Sequence, residues 1–169
     1  RPHDETATAV RLREHAPEKI SIGRRAAEMV LPGTTIILDS GTTTLAVARR
    51  LKAIPKITVV TTSLPIASEL FGIESIDLVL LGGRLRKDAP DLIGAITDQN
   101  LDVFHTDFAF IGADAIDDSG RLFNAVPDLA RMLTRMARCA AAAYAVADSS
   151  KIGRHELMQF ASAADWQGL

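Results

Sequence analysis

Thr34-Thr35-Ile36-Ile37-Leu38-Asp39-Ser40-Gly41-Thr42-Thr43-Thr44 runs directly into a helical pattern, Leu45-Ala46-Val47-Ala48-Arg49-Arg50-Leu51. A β-rich run, a small polar turn and a helix start make up the unit by which a parallel sheet builds an anion site. The first N–H groups of such a helix have no intrahelical partner, and the helix dipole favours negative charge there. Hydroxyls at Ser40, Thr42, Thr43 and Thr44 add donors for phosphate oxygens. Ser and Thr are also ordinary N-cap residues, so the stretch alone fits a capped helix equally well.

Working outward, apolar β-rich runs alternate with helical ones. The predicted strands are Thr35 to Leu38, Ile57 to Thr61, Ile76 to Leu81, Phe108 to Gly112 and Ala143 to Ala147. Helical patterns lie between them at Thr43 to Ala53, Leu64 to Phe71, Ile93 to Phe104 and Pro127 to Ala140. A further amphipathic helix opens at Pro17-Glu18-Lys19, carries Ile20, Ala26, Ala27, Val30 and Leu31 on a mostly apolar face, and stops at Pro32-Gly33. Near-continuous apolar strands joined by helices predict an α/β fold, a mostly parallel sheet with helices on both faces. Asp117-Asp118-Ser119-Gly120 reads as a tight turn, and Ala140 to Ala143 as a small-residue packing stretch. Residues 1–16 are polar without a clear period and read as a linker or arm.

Every predicted strand ends in a chemically suggestive loop. These are Asp39-Ser40-Gly41-Thr42, Thr61-Thr62-Ser63, Gly82-Gly83-Arg84, Gly112-Ala113-Asp114 and Asp148-Ser149-Ser150-Lys151. Parallel strands bring all these ends to one edge, where open α/β sheets bind ligands. One such loop is weak evidence, but their common edge favours a ligand site over a capped helix. Asp39 can accept from a sugar hydroxyl or cap its own turn. Gly82-Gly83 allows close backbone approach or makes a plain turn. Arg84 can hold a phosphate bidentately or stay solvated. Lys151 is the cation best placed for a ligand contact.

Composition narrows the function classes. The 169 residues suffice for one domain with a core, and 19 basic against 21 acidic residues give a net charge of −2. That balance excludes a nucleic-acid surface on this segment. The single Cys139 excludes an internal disulfide framework and suits a reducing cytoplasm. No apolar run reaches the ~18 residues of a membrane span. His3, His15, His105 and His155 lack metal-ligand spacing, so no metal is expected. A nucleophile elbow, Walker lysine and dinucleotide fingerprint are all missing, so neither a catalytic residue nor a cofactor is assigned. Arg131, Arg135 and Arg138 share one helix face and read first as solvated.

Taken together these motifs resemble the effector-sensing C-terminal domain of DeoR-type bacterial transcriptional repressors. The matching pieces are Glu18-Lys19, Leu38 to Thr43, Val59 to Ser63, Leu81-Gly82-Gly83-Arg84, Asp107 to Asp114 and Ala147 to Lys151. The resemblance implies a ribose-5-phosphate-isomerase-like sensor fold over residues 17–169, shortened at its C-terminus. It implies that residues 1–16 trail from an N-terminal helix-turn-helix domain, through which alone DNA is bound. It further implies a cytoplasmic homo-oligomer that senses a sugar phosphate or related catabolite. The expected effector contacts are Asp39, Ser40, Gly41, Thr42, Thr43, Thr44, Thr62, Ser63, Gly82, Gly83, Arg84, Asp114 and Lys151.

The related fold supplies the alternative, a sugar-phosphate isomerase. Isomerases of that group are similar at the hydroxyl-rich phosphate loop and the Asp-x-Ser-Lys loop, here Asp148 to Lys151. Their acidic loop and catalytic glutamate depart: Ile111 and Ala115 replace acids, and Leu129 falls near the glutamate, with Asp128 one place away. One residue turns a helical side chain by ~100°, onto another face. Isomerisation needs a placed base, so binding without conversion is expected. The chain also departs from the sensor pattern, with Thr62 where Asn is usual and Leu133 near a common Lys, a charge that Arg131 or Arg135 would have to replace.

Overall fold

A computed structural model describes residues 5–169 of the chain. Helices α1 (Glu5–Arg13) and α2 (Ala16–Ala27) precede strand β1 (Thr35–Leu38), helix α3 (Thr42–Leu51), strand β2 (Ile57–Thr61), helix α4 (Leu64–Leu70) and strand β3 (Ile76–Leu80). A hairpin of β4 (Arg84–Leu85) and β5 (Leu92–Ile93) leads to helix α5 (Ala95–Leu101) and strand β6 (Thr106–Ile111). Then come β7 (Ala115–Ile116), β8 (Arg121–Asn124), helix α6 (Pro127–Arg138), β9 (Ala140–Ala145) and β10 (Met158–Ser162).

The main sheet has the order β3-β2-β1-β6-β9, and every neighbouring pair is parallel. Alternation along each strand divides the core into two layers. Ile36, Leu38, Val59 and Phe110 pack with Leu45, Val47, Leu51 and Ile66 from α3 and α4, and with Ala26 of α2. Ile37, Val60, Ala109 and Ile111 pack on the opposite face with Leu101 of α5 and Met132, Leu133 and Met136 of α6. Helices thus cover both faces, as the apolar strands require. On the first face α2 lies backbone to backbone on α3: a Cβ at Gly23 would stand 2.5 Å from the carbonyl oxygen of Ala46.

Four features depart from the sequence expectation. The aperiodic stretch at the N-terminal end is helical over Glu5–Arg13, with Leu12 half-buried against the core. Ala140 to Ala143 belongs to strand β9, paired from Thr106↔Ala140 onward with β6; small side chains fit there because α6 crosses this strand closely. The region predicted as a helix from Ile93 starts only at Ala95, since Leu92–Ile93 pairs with Arg84–Leu85. An antiparallel sheet of order β10-β8-β7 was not anticipated. Its hairpin turns where predicted: Asp117 Oδ1 accepts from the N–H groups of Ser119 and Arg121, and Gly120 takes φ 77°.

Candidate functional site

Strand β1 lies between β2, reached through α3, and β6, reached much later in the chain. That reversal of direction is the switch point where an open parallel sheet leaves a crevice beyond its strand ends. The turns after β1 and β6 meet there, and the N–H of Gly112 donates to Asp39 Oδ2 at 3.0 Å. Asp39 is buried, and its Oδ1 accepts no hydrogen bond among the described residues. Burial pushes its carboxyl from 3.8 to about 7, against the Gly112 N–H, which favours the charged form.

Beside Asp39, α3 starts at Gly41, whose extended backbone supplies no side-chain cap. The N–H groups of the first turn therefore stay open toward the crevice. Thr44 does not cap either; its hydroxyl donates to the carbonyl oxygens of Asp39 (3.1 Å) and Gly41 (3.0 Å) and fixes the turn. A cavity of ≈ 380 Å³ opens over this helix end. Asp39, Ser40, Gly41, Thr42, Thr43 and Thr44 all line it, with Ser63, Asp114 and Lys151. Ser63 reaches it while accepting from the N–H of Ile66 at the start of α4. Asp114 is held by the Ala125 N–H at 3.2 Å. Lys151 sits on a short 3-10 turn, Ser149–Lys151, capped by Asp148, whose Oδ1 accepts from the Ser150 N–H at 3.0 Å. Burial works against that carboxylate, but the hydrogen bonds from Ser150 hold it below the usual range.

Four expected contacts lie elsewhere. Thr62 is buried, and its carbonyl oxygen accepts from Leu92 of the hairpin at 3.0 Å. Gly82 accepts the Thr97 hydroxyl on its carbonyl at 2.8 Å, and a Cβ on Gly83 would stand 2.1 Å from that hydroxyl oxygen. Gly83 thus gives room to Thr97 of α5, and neither glycine lines the cavity. Arg84 is exposed on β4 and absent from the cavity lining. Its place is taken by Arg86, two residues on, which lines the cavity and pairs with the fully buried Asp91 through Nε (2.5 Å) and Nη2 (3.2 Å). No spacing in the sequence marks that pair.

Sequence reasoning also missed Thr8, Arg11 and Leu12 of α1, and Asn124, Arg154 and Glu156 near the second sheet. Leu133 is buried in the core, and the neighbouring arginines do not substitute a charge at the site. Arg131 pairs with Asp98 (3.3 Å) and Arg135 with Asp102 (2.5 Å), both on or beside α5, along a separate cavity of ≈ 420 Å³. Ile111 and Ala115 are buried, and Leu129 puts an apolar side chain in the wall of the main cavity.

The model of the DeoR C terminal sensor domain matches residues 14–169. The chain belongs to this family. Among curated relatives of this sensor domain, the HTH-type transcriptional repressor GlcR of Bacillus subtilis is 36% identical over 151 residues, 89% of this chain and 58% of that protein. The glycerol-3-phosphate regulon repressor of Escherichia coli K12 is 31% identical over 160 residues, 95% of this chain and 61% of that one. The sensor domain therefore spans little more than half the length of these relatives. Ribose 5-phosphate isomerase A of Methanocaldococcus jannaschii superposes with a TM-score of 0.59 at 20% identity, over 82% of this chain and 55% of its own. That likeness concerns the fold, which matches the expectation drawn from the sequence.

Proposed function

We propose that this DeoR-type sensor domain binds a phosphorylated sugar or related catabolite and reports it without converting it. The observation that carries the reading is the open N-terminus of α3, facing a cavity that also holds Lys151 and the unpartnered oxygen of buried Asp39. The helix end and Lys151 offer a place for phosphate oxygens. Asp39, Ser63 and Asp114 offer acceptors and a hydroxyl for the sugar. Two relatives are named as repressors, one of them of a glycerol-3-phosphate regulon, which agrees with a phosphorylated effector. Leu129, Ile111 and Ala115 put apolar groups where an isomerase-like site would need acids, which supports binding over turnover. Control of DNA then passes through a helix-turn-helix domain in a cytoplasmic homo-oligomer, whose symmetry suits paired half-sites. The effector shifts that equilibrium only by its difference in affinity between states.

The test is a thermal-shift panel of sugar phosphates and their unphosphorylated parents, run beside an assay for aldose–ketose conversion. A ligand at 100 times its Kd adds ~2.7 kcal/mol, which raises the melting temperature measurably. Lys151→Ala should weaken phosphorylated ligands by about tenfold or more and leave their parents unchanged. Steady turnover overturns the reading, as does a panel without any shift at millimolar concentration.

A further inference from the structure

Helix α1 presents Thr8, Arg11 and Leu12 to the cavity. Their i, i+3, i+4 spacing is one helical face. Leu12 packs against the core beneath, so this face is seated on the domain and not merely near it. The last turn of α1 is held from below: buried Lys19 of α2 donates its ammonium to the carbonyl oxygens of Arg11 and Glu14, the latter at 2.7 Å. Those carbonyls are the acceptors that a helix end leaves without partners. The connection between the helices passes through His15, a non-glycine residue at φ 52°.

Charge gives this seat a purpose. The Lys19 ammonium is destabilised first by burial; Asp148 supports it, while Lys151 and Arg11 both act against it. Arg11 and Lys151 therefore both stand within electrostatic reach of Lys19, and both line the cavity at the open end of α3. Of the other cavity cations, Arg86 is committed to Asp91. Arg11 pairs with no carboxylate among the described residues.

We propose that Arg11 is an effector contact and that α1 forms one wall of the effector site, fixed in place when a phosphorylated ligand is bound. The proposal rests on the sugar-phosphate reading of the cavity and adds its regulation: occupancy is communicated to the helix at the N-terminal side of the domain. A guanidinium reaching the anion from α1 ties that helix to the Lys151 turn and to α3 through the ligand itself. An empty site leaves α1 held by Leu12 and the two Lys19 bonds.

Hydrogen exchange and ligand titration on the whole 169-residue chain test this. The probes are ribose 5-phosphate, glycerol 3-phosphate and their unphosphorylated parents at millimolar concentration. Exchange at residues 8–14 should slow on addition of a binding phosphorylated probe. Arg11→Gln should weaken that probe by about tenfold, leave the parent unaffected and abolish the slowing. Arg11→Lys should restore part of both. In Lys151→Ala, saturation with the probe should still slow α1. The α1 proposal is overturned, with the sensor reading intact, by wild-type binding that leaves α1 exchange unchanged. It is equally overturned by Arg11→Gln binding as wild type does. No binding by the wild-type chain to any phosphorylated probe removes both readings together.

Discussion

Two turns leave the same edge of the sheet and meet opposite fates. Asp39 to Thr44 follows β1, and Gly82 to Arg84 follows β3; both are polar and contain glycine, at the ends of parallel strands. The first opens into a cavity, while the second is filled by its neighbours, with the Thr97 hydroxyl lodged where Gly83 has no side chain. Strand order explains the difference. β1 borders the switch point beside β6, so its turn faces a crevice that the topology leaves uncovered. β3 is an edge strand, and the chain folds its own hairpin and α5 over that end. Glycine at a strand end marks close approach; the position of the strand decides whether a ligand or the protein itself approaches.

The largest effect expected to separate the two turns is at Asp39. Burial raises its carboxyl from 3.8 to about 7, so the folded state keeps a proton that the unfolded chain has released in that range. Stability present below the unfolded value is lost as pH rises through the folded one, about 4 kcal/mol in all. Asp39→Asn has no proton to lose, so its unfolding free energy should hold level where that of the wild type declines. Urea unfolding at intervals from about pH 4 to about pH 8 measures this. Parallel pH profiles for the two proteins would mean that water from the crevice reaches the Asp39 carboxyl.

Glycine substitution probes the same contrast at intermediate size. Gly83→Ala drives a methyl to 2.1 Å from the Thr97 oxygen and 3.0 Å from the Ile93 carbonyl oxygen. A loss of about 1–3 kcal/mol in stability should follow, without loss of affinity in the folded protein. Gly41→Ala meets the Thr44 hydroxyl at 3.3 Å and Asp39 Oδ1 at 3.9 Å, on extended backbone. It should keep its stability within about 1 kcal/mol and lose anion binding, because the methyl stands at the open helix end. Melting curves with and without a phosphorylated ligand read both quantities at once. The opposite pattern would exchange the roles of the two turns. The smallest effect belongs to Arg84→Ala, where an exposed side chain is removed. Stability should move by no more than about 0.5 kcal/mol, and titration should find ligand affinity unchanged.

The parallel sheet was legible because its strands are long apolar runs with helical intervals between them. Thr35–Leu38 and Ile57–Thr61 are found where the pattern puts them, and the Asp39 turn follows from the first. The hairpin Arg84–Leu85 with Leu92–Ile93 has strands of two residues, too short to carry a period. Arg86 escaped notice for a related reason: its partner Asp91 lies across that hairpin, and nothing local announces the pair. Helix α1 has weak intrinsic patterning and is held by tertiary contacts, Leu12 on the core and Lys19 at its end, which single-sequence periodicity does not register. Gly83 was ambiguous because its signal, close approach, is identical for a ligand and for Thr97.

Gly23 gives these parts a mechanical relation. With no side chain at Gly23, α2 and α3 touch there through their backbones, and that one contact has no rotatable group between the helices. A shift of α3 against α2 would therefore meet backbone atoms at Gly23 rather than rotate a side chain. α2 carries Lys19, the residue that grips α1. The start of α3, the Gly23 contact and Lys19 thus join the cavity to α1 largely through backbone atoms.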